Sequence, residues 1–177
     1  RSMIRFAILT VSDRSARGER PDTSGPALAQ AVINHGWMVV EQKIVPDEIE
    51  SIKLALQNWC DSQKIDIILT TGGTGFAPRD VTPEATLAVI ERATPGLSEA
   101  MRAHSMQIHP HAMLSRAVSG IRRHTLILNL PGSPKGATEN FAVVVPVLPH
   151  AMELLHEDPD AETGHLSSLS SGHKSLI

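Results

Sequence analysis

An α/β fold, with helices covering both faces of a mostly parallel sheet, is what the sequence predicts. Three observations carry that expectation. Short apolar runs rich in β-branched residues recur without in-and-out alternation, the pattern of strands buried on both faces. Stretches with apolar residues at helical spacing separate those runs. Gly, Pro, Asp and Ser mark the joints between them, so strands and helices alternate along the chain.

The first strand is expected at residues 6–12 and is followed by a polar, turn-rich loop over 13–25. A helix over 27–35 comes next, with Gly36 past its end, where a residue of positive φ commonly stops a helix. The second strand, 37–45, ends at Pro46. Asp47 followed by Glu50 reads as a capping box opening a helix with Ile49, Ile52, Leu56 and Trp59 on one face. The third strand, 65–71, enters the turn Gly72-Gly73-Thr74-Gly75. Thr82 is expected to cap a helix whose first position is Pro83, where the missing N–H costs nothing. After the break at Thr94-Pro95-Gly96 another helix spans 97–106. A strand over 125–130 leads into Pro131-Gly132-Ser133, and a last helical segment over about 136–155 is expected to bend at Pro146 and Pro149. Residues 163–177 are rich in Ser, Gly and His with no period, and disorder is expected there.

Composition narrows the function classes. The 177 residues carry a net charge of -3, so no basic excess exists to neutralise a run of phosphates, and nucleic acid is not an expected partner. Aromatic residues make up only 3%, which removes base-stacking platforms. The single cysteine, Cys60, builds no disulfide framework and sits on the apolar face of its helix. No apolar run reaches the roughly 18 residues that span a bilayer, and the start lacks the apolar stretch of a signal peptide. The expectation is a cytoplasmic domain without membrane contact.

In an open α/β sheet ligands bind beyond the carboxyl ends of the strands. Four such ends carry polar or glycine clusters: Ser12-Asp13, Pro46-Asp47, Thr70 through Gly75, and Asn129 through Ser133. Parallel strands would bring all four to one rim. The missing side chains of Gly72, Gly73 and Gly75 let backbone N–H groups approach an anion, with Thr74 adding a hydroxyl. The segment is neither a Walker A loop nor a dinucleotide fingerprint, and by itself it is equally well a tight turn. Its continuation, Arg79-Asp80 ahead of a capped helix, places a carboxylate beside an anion cradle. That pairing is unfavourable unless a cation lies between, and Mg²⁺ is the usual one. Asp47 could supply a second carboxylate. Standing alone, Asp47 would be a plain helix cap and Asp80 the salt-bridge partner of Arg79. Arg116, a lone arginine in a small-residue loop, suits phosphate, whereas the pair His109 and His111 has no third ligand at metal-binding spacing.

The segment LTTGGTGFAPRDVTPE (69–84), together with Val45-Pro46-Asp47-Glu48, Met113-Leu114-Ser115-Arg116 and Leu128-Asn129-Leu130-Pro131-Gly132-Ser133, resembles the molybdopterin adenylyltransferase family, which includes bacterial MogA and the G domains of gephyrin and its plant counterpart. The resemblance covers about residues 5–155. It implies one domain over residues 4–157 with a three-layer αβα sandwich, assembled as a homotrimer. The implied reaction is Mg²⁺-dependent transfer of AMP from ATP to the terminal phosphate of molybdopterin, releasing pyrophosphate; the product then passes to a downstream molybdate-inserting protein. By the same resemblance Asp47 and Asp80 are catalytic and hold Mg²⁺. Gly72, Gly73, Thr74, Gly75, Asn129, Pro131, Gly132 and Ser133 bind nucleotide phosphates, while Ser12, Asp13, Ser105, Ser115 and Arg116 bind molybdopterin. A reading of another class is a protein of the same fold that binds and delivers molybdopterin without adenylylating it.

Overall fold

A computed structural model describes residues 3–157; the tail expected to be disordered, 163–177, lies outside them. A six-stranded sheet runs in the order β2-β1-β3-β6-β5-β4. Strands β1 (Arg5–Val11), β2 (Met38–Val45), β3 (Ile67–Thr71) and β6 (Thr125–Leu130) are parallel. Strands β5 (Ser119–Arg122) and β4 (Arg92–Ala93) complete one edge in antiparallel pairing. The helices are α1 (Asp13–Ala16), α2 (Ser24–Asn34), α3 (Ile49–Asp61), α4 (Thr82–Val89), α5 (Pro95–Ile108), α6 (Pro134–Val144) and α7 (Leu148–Leu155).

The central strands are buried on both faces because successive side chains enter different cores. Phe6 and Ile8 of β1 point into a cluster with Leu28 and Val32 of α2, Met101 of α5, Phe141 of α6 and Leu148 and Met152 of α7. Ala7, Leu9 and Val11 point the other way, against Ile52, Leu56 and Trp59 of α3 and Ala85 and Val89 of α4. This is the αβα sandwich, and it explains why those runs lack alternation. Each fully buried Leu, Ile or Phe contributes about 1.5–3 kcal/mol of transfer free energy. The edge strand β2 differs: Met38, Val40 and Ile44 are exposed.

Several element boundaries depart from the sequence-based expectations. The helix expected over 27–35 starts three residues earlier, at Ser24, with Pro26 accommodated in its first turn. The segment expected as one bent helix is two, α6 and α7, joined by a 3-10 turn at Val145–Val147. Pro146 and Pro149 sit in the first turns of the elements that follow, where their missing N–H groups break no internal bond. Strands β4 and β5 were not expected. Arg123 and His124 link β5 to β6, with Arg123 at φ 52, a positive-φ hairpin position that glycine or asparagine usually announces.

Candidate functional site

Parallel pairing of β1, β2, β3 and β6 brings the four decorated strand ends to one rim, and two cavities open there. The larger, about 640 Å³, is polar and is bordered by Ser12, Asp47, Gly72, Gly73, Asp80, Gly132 and Ser133. The second, about 260 Å³, has Met101, Ile108 and Ala112 in its walls, with Thr74, Ser105, Ser115, Asn129 and Pro131. The two adjoining cavities, separated by the loops after β3 and β6, do not sort the residues as the resemblance implied: Ser12, expected at molybdopterin, borders the polar one with Asp47 and Asp80, while Thr74, Asn129 and Pro131, expected at nucleotide phosphates, border the apolar one with Ser105 and Ser115.

Glycine makes that division possible. Gly72 has φ +102, and a Cβ there would run into the Val11 carbonyl. A Cβ on Gly73, at φ +70, would meet the Thr82 hydroxyl and, at 3.2 Å, Asp47 Oδ1; one on Gly75 would meet Asp80 Oδ2 at 2.9 Å. The loop thus lies between the two carboxylates, with no side chain of its own to part them. Further bonds fix it: Gly72 N donates to Leu130 O, Thr82 Oγ1 to Gly72 O, and Thr71 Oγ1 to Pro131 O.

The carboxylates are placed differently from the simpler readings. Asp47 does not cap α3; Glu48 stands at that position and its side chain makes no capping bond. The expected capping box is absent because Asp47 faces back across the rim, where its Oδ2 accepts from Asp13 N (2.8 Å) while Asp13 Oδ1 accepts from Asp47 N (3.0 Å). Arg79 pairs with Asp13, its Nε donating to Oδ2 at 2.6 Å and its Nη2 to Oδ1 at 2.9 Å, and not with Asp80. Among the described residues, Asp80 Oδ2 accepts only the backbone N–H of Ala77, at 3.1 Å. Burial foremost, with Asp13 and Asp80 adding like charge, holds the Asp47 carboxyl above its ordinary pKa. The guanidinium of Arg79 draws that of Asp13 below the usual range.

Three residues expected to touch ligand instead shape the loop or lie outside both cavities. Arg116 donates from Nε to Gly75 O and from Nη2 to Asp80 O, and pairs with Glu84, so its guanidinium is spent on holding the segment from Gly75 to Asp80. Asp13 is committed to Arg79 and Asp47, and Gly75 borders neither cavity. Asn129 borders the second cavity, yet its Nδ2 donates to the Thr70 and Thr86 hydroxyls and its Oδ1 accepts from Val118 N. Ser12 and Ser133 accept from the backbones of their own helices, at Ser15 N and Gly136 N, as N-caps. Thr82, expected to be a cap, is buried and bonded to the glycine loop.

Sequence reasoning passed over Arg20 and Ser24 in the polar cavity and Arg102, Glu139 and Asn140 in the apolar one. Arg20 lies in a loop without a motif and Ser24 opens α2 ahead of its expected start, and the others lie on helix faces whose orientation only the packing of α5 on α6 reveals. Every parallel strand is followed by a helix that starts at this rim, so several helix N-termini direct partial positive charge toward it. Anions are the chemistry such helix ends accept.

Comparison with known proteins agrees with that geometry. Residues 7–150 match the family MoCF_biosynth, described as "Probable molybdopterin binding domain". The chain is 40% identical to a molybdopterin adenylyltransferase of Helicobacter pylori, the match covering 86% of this chain and 88% of that protein. It is 44% identical to gephyrin of Dictyostelium discoideum over 95% of its own length, but spans only 24% of that much longer relative. The solved structure of the molybdopterin biosynthesis enzyme MoaB from Thermus thermophilus superposes with a TM-score of 0.83 at 51% identity, covering 89% of this chain and 99% of that one. Among the described residues no helix is long and apolar enough to cross a membrane.

Proposed function

Because the chain belongs to the molybdopterin-binding domain family, we propose that it acts in molybdenum cofactor biosynthesis as a molybdopterin adenylyltransferase, transferring AMP from ATP to the terminal phosphate of molybdopterin. The observation that carries this reading is the pairing of cavities: a polar one bordered by Asp47 and Asp80 beside an apolar one of ring-binding size, with the glycine loop between them. In this reading the polyphosphate lies in the polar cavity and the pterin in the apolar one. A terminal phosphate oxygen of molybdopterin then attacks the α-phosphorus, a new P–O–P link forms, and the bond to the β-phosphate breaks to release pyrophosphate.

Both reactants are anionic, so the site has to align them and offset their repulsion more than it has to supply a nucleophile. The helix N-termini and the N–H groups of the glycine loop beyond Gly72, whose own N–H is held by Leu130 O, serve the phosphates. Asp47 and Asp80 suit Mg²⁺, which takes a few carboxylate ligands and completes its shell with water and phosphate oxygens. Among the described residues no group of three or more His, Cys, Asp or Glu could hold a metal ion. Bound there, Mg²⁺ would neutralise phosphate charge. Pyrophosphate should appear from ATP when molybdopterin is added and not in its absence.

Ser105 sits on α5 in the apolar cavity, and its Oγ accepts from Asn140, which leaves its own hydrogen free to donate. Ser105→Ala and Ser115→Ala should each weaken molybdopterin binding by about 0.5–1.5 kcal/mol, the net worth of one hydroxyl bond. Unchanged affinity in both, measured by fluorescence titration, would place the pterin elsewhere. A homotrimer in the cytoplasm, handing its product to a molybdate-inserting partner, completes the proposal, and the exposed apolar side chains of β2 are available for self-association. Light scattering should return three chain masses; a monomer at micromolar concentration would contradict that.

A further inference from the structure

Among the described residues the apolar cavity has a single carboxylate on its wall, that of Glu139 on α6. The nearest cation is Lys135, one turn earlier, at 3.9 Å and itself almost fully exposed. None of the described residues donates a hydrogen bond to Glu139. Its neighbours are committed elsewhere: Asn140 Nδ2 donates to Ser105 Oγ and Gly136 O, both at 2.9 Å, and Arg102 donates to the carbonyls of Ser115 and Ala117 at 2.9 and 2.7 Å. His109 Nδ1 accepts from His111 N, which puts the ring proton of neutral His109 on Nε2. The cavity therefore holds an unspent two-oxygen acceptor, with the Ser105 and Ser115 hydroxyls and the His109 Nε2–H among its donors.

A carboxylate binds best to two parallel N–H donors on one rigid plane. The pyrimidine ring of a pterin presents that pair, N3–H beside the 2-amino group, with the 4-oxo acceptor next to them. We propose that Glu139 reads this edge, accepting from N3–H and from the 2-amino group, and so sets the selectivity of the cavity for 2-amino-4-oxopteridines. The donors left over, Ser105 and His109, suit the 4-oxo group. This inference rests on the assignment of the pterin to the apolar cavity. A 2,4-dioxo ring (a lumazine) sets an oxygen against the carboxylate where the pterin sets an amino group, so Glu139 repels it.

The test is fluorescence titration of 6-hydroxymethylpterin and 6-hydroxymethyllumazine against the intact protein, Glu139→Gln and Ser105→Ala. The unaltered protein should prefer the pterin by about 10–100-fold, the range for a bidentate pair read against the wrong edge. Glu139→Gln should lose or reverse that preference, since an amide offers one acceptor and one donor and so matches N3–H beside the 2-oxo group. Its melting temperature should stay unchanged, because a loose surface pair with Lys135 contributes little to stability. Equal affinity of the unaltered protein for both ligands, or a preference retained in Glu139→Gln while Ser105→Ala weakens binding, would overturn the role of Glu139. A preference that neither substitution alters would overturn the cavity assignment itself.

Discussion

Asp47→Asn and Asp80→Asn are each expected to reduce AMP transfer by about 10²-fold or more, the scale of a lost electrostatic contribution to a transition state. Both side chains border the polar cavity, and they accept from backbone N–H groups, that of Asp13 for Asp47 and that of Ala77 for Asp80. An amide oxygen can still accept those bonds, so the fold should survive while the charge is lost. Stability separates this account from a structural one. Burial and the like charges of Asp13 and Asp80 raise the Asp47 pKa above its unfolded value, so the folded state binds that proton more tightly than the unfolded chain. The ionised form therefore costs stability at neutral pH, and the cost fades as pH falls through the raised pKa toward the ordinary carboxylate range. Without metal, Asp47→Asn should leave the melting temperature at pH 7 unchanged or raised. A lowered melting temperature with near-normal turnover would make Asp47 structural.

Gly72→Ala should be the most damaging single change outside the carboxylates. At φ +102 an alanine is strained whatever the space around it, and its methyl group meets the Val11 carbonyl of the neighbouring strand. Strain and overpacking together should cost about 2–6 kcal/mol. The loop also sits within van der Waals reach of the next rim turn, where a Cβ on Gly132 would lie 3.3 Å from the Gly72 Cα. A shift in one turn therefore moves both rim loops, and turnover should fall together with stability. Gly96→Ala is the control. It lies in the first turn of α5 with open space around it and no positive φ, so it should be neutral or slightly stabilising. Chemical denaturation of the two variants checks both; equal stability would contradict the steric account of the loop.

How much of this could be read from the chain follows from the range of the interactions concerned. The parallel strands, the glycine turn and the convergence of Asp47 and Asp80 on one rim follow from local patterns plus one rule about strand ends, and the structure shows that arrangement. The exchange of Arg79 from Asp80 to Asp13 was hidden because those partners are 66 residues apart. Arg116 looked free because the sequence does not show the carbonyls of Gly75 and Asp80 that occupy it. The β5–β6 hairpin was missed because its turn uses Arg123 where Gly or Asn would have signalled it. Glu139 gave no signal at all. Its position beside Lys135 reads as a solvated helix face, and only the packing of α6 against α5 turns it toward a cavity.

The central claim is that two adjoining cavities perform one transfer and do not merely hold a cofactor. It is tested most directly by incubating one preparation with α-labelled ATP, Mg²⁺ and molybdopterin while following label and pyrophosphate together. Labelled adenylyl-molybdopterin and pyrophosphate should appear in equal amounts, both abolished by chelation of the metal and both reduced about 10²-fold in Asp80→Asn. Full molybdopterin binding by the same preparation with no label transferred would contradict it, leaving a protein that binds and delivers molybdopterin.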